Sequence, residues 1–154
     1  MKVEIIDDDY YKVFINGLYT KEIDINNKDE LGKYVKDIIL KLRKIYNIIL
    51  QGLYEVRVYY IRFIGIILEI SNIDKYLSKT VDLKIIVHND EEIFLKIFRY
   101  ELINHYNHLK YYNNCFYFDI NDLKEEDVYR LIESTNIVYG DELEELKPKW
   151  IELT

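Results

Sequence analysis

The chain has no alanine, one cysteine (Cys115), one proline (Pro148) and five glycines. A lone cysteine excludes a disulfide scaffold. Scarce Pro and Gly beside 49% hydrophobic residues exclude a disordered chain, because a core can be built. The glycines stand singly, so there is no Gly-rich phosphate loop, and no Gly-x-Ser-x-Gly elbow occurs. Long apolar runs are missing too. Residues 53–70 are interrupted by Glu55, Arg57, Arg62 and Glu69, so the ~20 uncharged residues that span lipid are not there. Lys2, Glu4, Asp7, Asp8 and Asp9 leave no apolar stretch for a signal peptide, which predicts a cytoplasmic chain with no membrane partner. No cluster of Lys and Arg stands out, which argues against nucleic acid as a partner, since phosphate neutralisation supplies most of that affinity.

What remains is 154 residues, enough for one ordinary domain or two small ones. The net charge of −7 is uneven: residues 1–70 carry 11 basic and 11 acidic side chains, and residues 71–154 carry 10 and 17. The 16 tyrosines, with abundant Ile, Asn and Lys, fit the codon bias of an AT-rich genome before they fit a selected binding surface.

Alternation over 2–6 and 11–15, parted by Asp7, Asp8 and Asp9, predicts a hairpin with Val3, Ile5, Val13 and Ile15 inward. Residues 27–46 have the helical period. Leu31, Val35, Ile38, Leu42, Ile45 and Ile49 form the stripe, and Tyr34, Ile39 and Tyr46 widen it. Asn27 and Glu30 have capping-box spacing. Residues 52–70 read as a second hairpin, with Tyr54, Val56, Val58 and Tyr60 on one face and Ile64, Ile66, Leu68 and Ile70 on the matching one. The first 72 residues thus predict a ββαββ lobe, and the polar stretch 73–82 a short linker.

In residues 83–154, 83–87 reads as a buried strand and 93–104 as a helix with Ile93, Phe94, Ile97, Phe98 and Leu102 inward; a strand there would set Lys96 on the apolar face. Residues 109–112 and 115–120 flank Asn113-Asn114, a hairpin turn. Asp122 and Glu125 open a helix carrying Val128, Leu131 and Ile132, Ile137 and Val138 make an edge strand, and a short helix ends before Pro148. The order βαββαβ predicts a ferredoxin-like acidic lobe, and the fold class is α+β.

For chemistry, Cys115 with His105 and His108 is the one nucleophile–base set. Cys115 opens an aromatic strand in an acidic half, which suits packing better than a thiolate. His105 and His108 with Glu101 or Asp119 lack the matched spacing of a metal site. Asp7-Asp8-Asp9 reads as a turn before a cation site, and the run Asp119, Asn121, Asp122, Glu125, Glu126, Asp127 reads as helix capping before a calcium loop. No catalytic, cofactor or metal residue is therefore assigned. The expectation is a non-enzymatic protein–protein interaction module whose partner is another protein. The alternatives are a small enzyme using Cys115 or His105 and His108, and an acidic accessory protein of a mobile element.

Several segments also resemble a family. Met1-Lys2-Val3-Glu4-Ile5-Ile6 and Tyr11-Lys12-Val13-Phe14-Ile15, then Gly52-Leu53-Tyr54-Glu55-Val56-Arg57-Val58 with Gly65-Ile66-Ile67-Leu68, are similar to the two hairpins of MecA-type bacterial adaptor proteins. Leu109-Lys110-Tyr111-Tyr112-Asn113-Asn114-Cys115-Phe116-Tyr117 resembles their short aromatic hairpin, and Val138-Tyr139-Gly140-Asp141-Glu142 a turn that follows an acidic helix. Val138 stands where that family carries an acid. The resemblance implies an adaptor in which one lobe holds a target protein and the acidic lobe docks on a Clp-type ATPase.

Overall fold

The computed structural model describes residues 2–16, 24, 26–48, 50–61, 65–88, 92–98, 109–132 and 135–153. It is a mixed α+β protein with two five-stranded sheets and three α-helices among these residues. The alternating opening forms strands β1 (Lys2–Asp7) and β2 (Tyr10–Asn16). Asp7, Asp8 and Asp9 turn between them: Asp7 Oδ1 accepts the Asp9 N–H at 2.8 Å, and Lys75 Nζ lies 2.7 Å from Asp9 Oδ1. Helix α1 (Lys28–Tyr46) begins where Asn27 Oδ1 accepts the N–H groups of Asp29 and Glu30, each at 3.2 Å. That is half of the expected capping box; Glu30 Oε1 instead accepts the Asp24 N–H at 3.5 Å.

Strands β3 (Gly52–Ile61), β4 (Gly65–Asp74) and β5 (Val81–His88) complete the first sheet, ordered β1-β2-β4-β3-β5. One face of it, built on Val13, Ile15, Val56, Val58, Leu68 and Ile70, packs on Leu31, Val35, Ile38 and Leu42 of α1. Several expected core positions lie outside. Ile5 is 62% exposed, because β1 is the sheet's edge and cover reaches only Val3. Ile45 is 66% exposed, and Tyr46 is exposed as well. The chain leaves α1 at Asn47 in a left-handed conformation (φ 53°), and Ile48 and Leu50 close that end of the core in their place. Tyr60, near the end of β3, is also exposed. Ile49 and Ile64 fall outside the described residues.

The boundary differs from the expected one. Residues 81–88 form β5, which runs parallel to β3 from Gly52↔Val81 to Tyr59↔His88. Residues 73–82 are therefore the end of β4, a tight connection and the start of β5, not a linker. One compact unit comprises 1–60 and 65–89, the other 61–64 and 90–154.

In the second unit, strands β6 (Phe94–Ile97), β7 (Leu109–Tyr112), β8 (Cys115–Asp119), β9 (Asn136–Val138) and β10 (Ile151–Leu153) order as β10-β7-β8-β6-β9 with antiparallel pairing throughout. Helices α2 (Glu125–Ile132) and α3 (Gly140–Leu146) flank β9. The ferredoxin-like order does not appear here, since 83–87 belongs to the other sheet. Residues 94–97 are a strand where a helix was expected. Phe94, Leu95 and Ile97 are buried between β8 and β9, the near-continuous apolar pattern of a strand covered on both faces. Lys96 is accommodated on that strand by extending its Nζ to 5.1 Å from the Phe98 ring. The rest of that expected helix, from residue 99, lies outside the described residues. The Asn113-Asn114 turn forms with φ 50° and 64°. No described helix is long and apolar enough to cross a membrane.

Leu42→Ala should cost ~2–5 kcal/mol of stability, the range for truncating a fully buried leucine. Ile45→Ala, on the same stripe, should change it by no more than ~0.5 kcal/mol; urea midpoints compare the two. Gly52→Ala should destabilise by ~1–3 kcal/mol from its backbone alone (φ 91°) and by more from the clash of a Cβ 2.1 Å from the Asp74 carbonyl oxygen. Equal urea midpoints for Gly52→Ala and the parent chain would show that the crossing at Gly52 is misplaced.

Candidate functional site: an aromatic pocket in the second unit

Alternation along strands puts Lys110 (β7), Tyr117 and Asp119 (β8), Phe94 (β6) and Glu152 (β10) on one face of the second sheet, because Lys110 pairs with both Tyr117 and Glu152, and Phe94 pairs with Asp119. After α3 the backbone tightens, with Lys147 N–H donating to Leu143 O at 3.0 Å and Lys149 N–H to Leu146 O at 2.9 Å. This turn, around Pro148, delivers Trp150 onto that face. Its indole lies 4.9 Å from the Phe94 ring, tilted by 49°, and meets the Tyr117 ring nearly edge-on at 5.3 Å.

Beside Trp150 opens a pocket of about 640 Å³, lined by Glu92, Phe94, Lys110, Asp119, Asp122, Lys147, Trp150 and Glu152. Both of its ammonium groups are engaged. Lys110 Nζ lies 2.7 Å from Glu152 Oε1, and Lys147 pairs with Glu92 and, at 3.1 Å, with Glu144. Those carboxylates hold the Lys147 ammonium above the usual lysine range. Asp119 is half-buried. Burial raises its pKa above the ordinary 3.8, the Asn121 N–H that its Oδ1 accepts at 2.9 Å opposes this, Asp122 and Glu92 raise it further, and Lys110 lowers it slightly.

The acidic run is divided by this arrangement. Asp119 caps the 3-10 turn Ile120–Asp122, while Glu125, Glu126 and Asp127 occupy the first turn of α2, where the helix dipole favours them. Among the described residues, no group of three or more His, Cys, Asp or Glu side chains is placed to hold a metal ion. Cys115, only 5% exposed, lines a smaller pocket of about 160 Å³ with Lys96, Tyr112, Tyr117, Glu142 and Lys149 among its neighbours. Glu101, His105 and His108 lie outside the described residues.

The sequence on its own gives Trp150, Glu92, Lys110, Lys147 and Glu152 no role in a site. The available signal was that Trp150 is the sole tryptophan, set just past the only proline. In the first unit, Tyr59 stacks on His88 at 4.5 Å as a cross-strand pair, and burial with the neighbouring Glu69 raises the Tyr10 hydroxyl far above its ordinary range. Compared with known protein families, curated proteins and solved structures, the chain matches none.

The raised pKa of Asp119 has a defined sign. Between the unfolded and folded values the native state holds a proton that the unfolded chain has released, so this contribution to stability falls as pH rises. Asp119→Asn keeps an oxygen for Asn121 and removes the charge. Relative to the parent, the variant should gain stability as pH climbs from the ordinary aspartate pKa of 3.8 to the raised one. A difference in urea midpoints that stays constant, or shrinks, across that interval would contradict the assignment.

Proposed function

We propose that this chain is a non-enzymatic protein–protein interaction module that holds a segment of its partner in the Trp150 pocket. The observation that carries the proposal is the pocket's lining: an aromatic wall of Trp150 and Phe94 beside four carboxylates and two ammonium groups. Aromatic anchors surrounded by a polar rim are where interfaces concentrate their energy. Charge supports it as well, because the whole −7 resides in residues 71–154. The narrower form, an adaptor that presents a target protein to a Clp-type ATPase, rests on the resemblance of residues 1–6, 11–15, 52–58, 65–68, 109–117 and 138–142 to segments of MecA-type adaptors.

The purified chain, probed on an array of peptides of varied charge, should bind a defined subset. Trp150→Ala should weaken that binding roughly thirtyfold, the ~2 kcal/mol of an anchoring aromatic. Cys115→Ser should leave it unchanged, and circular dichroism checks that both variants fold. Absence of binding to any peptide, or binding indifferent to Trp150 in a folded variant, would overturn the proposal.

A further inference from the structure

We infer that the Trp150 pocket receives a guanidinium group, the side chain of an arginine carried by the bound segment. The inference rests on the interaction-module proposal and names the chemistry of its ligand.

Charge sets the sign. Four carboxylates face two ammonium groups, and both ammonium groups already pair with Glu152, Glu92 and Glu144. Among the described residues, neither Asp119 nor Asp122 forms an ion pair, although both line the pocket; Lys110, which is held by Glu152, acts on Asp119 only as the weakest of the neighbouring charges. A cationic ligand is the complement of that pair.

Shape then selects among cations. The carboxylates are too dispersed for any three of them to hold a metal ion, so a compact point charge would meet too few oxygens. A volume of about 640 Å³ accommodates a long side chain and some of its backbone. A guanidinium is flat and delocalised, presents five N–H donors in a fork, and is weakly hydrated. It can meet Asp119 or Asp122 along its edge while lying on the Trp150 indole, whose ring face attracts cations. Lysine offers a compact, strongly hydrated charge that uses the aromatic wall less well.

Trp150 is the only tryptophan, so its emission reports occupancy directly. The test titrates the full chain with three glycine- and serine-flanked peptides that differ at one central position: arginine, lysine, or citrulline, which keeps the shape of arginine without its charge. The arginine peptide should shift Trp150 emission saturably. The citrulline peptide should bind at least about tenfold more weakly, and lysine should fall between. Asp119→Asn and Asp122→Asn, whose shapes match the parent residues, should each weaken the arginine peptide severalfold and leave citrulline unchanged. Equal binding of arginine and citrulline, or arginine binding untouched by both variants, overturns the inference. If array peptides bind through Trp150 but the arginine peptide does not, the guanidinium assignment falls and the interaction module stands. If no peptide binds at all, both fall.

Discussion

The first sheet depends on one close passage of backbone over backbone at Gly52. The connection from β4 to β5 crosses the start of β3 there: Gly52 N–H donates to Thr80 O at 3.0 Å, and a Cβ would sit 2.1 Å from Asp74 O and 2.8 Å from Lys75 Cα. Only glycine tolerates both that approach and a φ of 91°. Because the chain can cross, β5 reaches the side of β3 away from β4 and pairs in parallel with it over eight residues. Neighbouring contacts fasten the same end. Asn72 N–H donates to Asp9 O at 2.8 Å, and the Asn72 amide to Gln51 O at 3.2 Å. Without the crossing, 81–88 would be free to start a second domain, as the polar stretch before it suggests.

That capture decides what the second unit contains. Deprived of residues 83–87, it has no leading strand, and the apolar run at 94–97 takes an interior place in its sheet between β8 and the edge strand β9. A central strand is covered on both faces, so it carries apolar residues without alternation and can resemble part of a helix when read alone. The sheet then needs cover on the face that bears Phe94, Cys115, Tyr117 and Val138. Leu143 of α3 supplies it, with Leu146 and Trp150 packed alongside. The pocket opens where this cover ends, bordered by the edge pair Lys110 and Glu152.

Local patterns were therefore legible and long-range partnerships were not. The first hairpin, α1 with its Asn27 cap, and the Asn113-Asn114 turn follow from periodicity and turn chemistry within a few residues. The period of α1 identified Leu31 to Leu42 as core, but nothing in it announced that cover would stop before Ile45. The choice of β5 as a partner for β3 depends on a glycine thirty residues upstream. The pocket is less legible still. Its residues are drawn from positions 92 to 152, and most of them have a sufficient local explanation, such as a capping aspartate or a surface lysine. Only their meeting beside Trp150 gives them joint meaning.

The energetics of that meeting bear on what the pocket is for. Asp119 has lost part of its hydration, and this together with the Asp122 and Glu92 carboxylates outweighs the Asn121 N–H and Lys110, so its ionised form is disfavoured in the free protein. An apolar residue at the same half-buried position would avoid that cost and would also cover Phe94. Local rules are commonly broken in this way at functional sites, where stability gives way to binding. On the proposed reading, the broken rule favours a cationic ligand. Desolvation of the carboxylate is already part of the native state, so an arriving cation need not supply it, and the rigid indole adds contact area with little entropy to lose. On the proposed reading, a site preorganised in this manner distinguishes ligands by charge first and by flatness second.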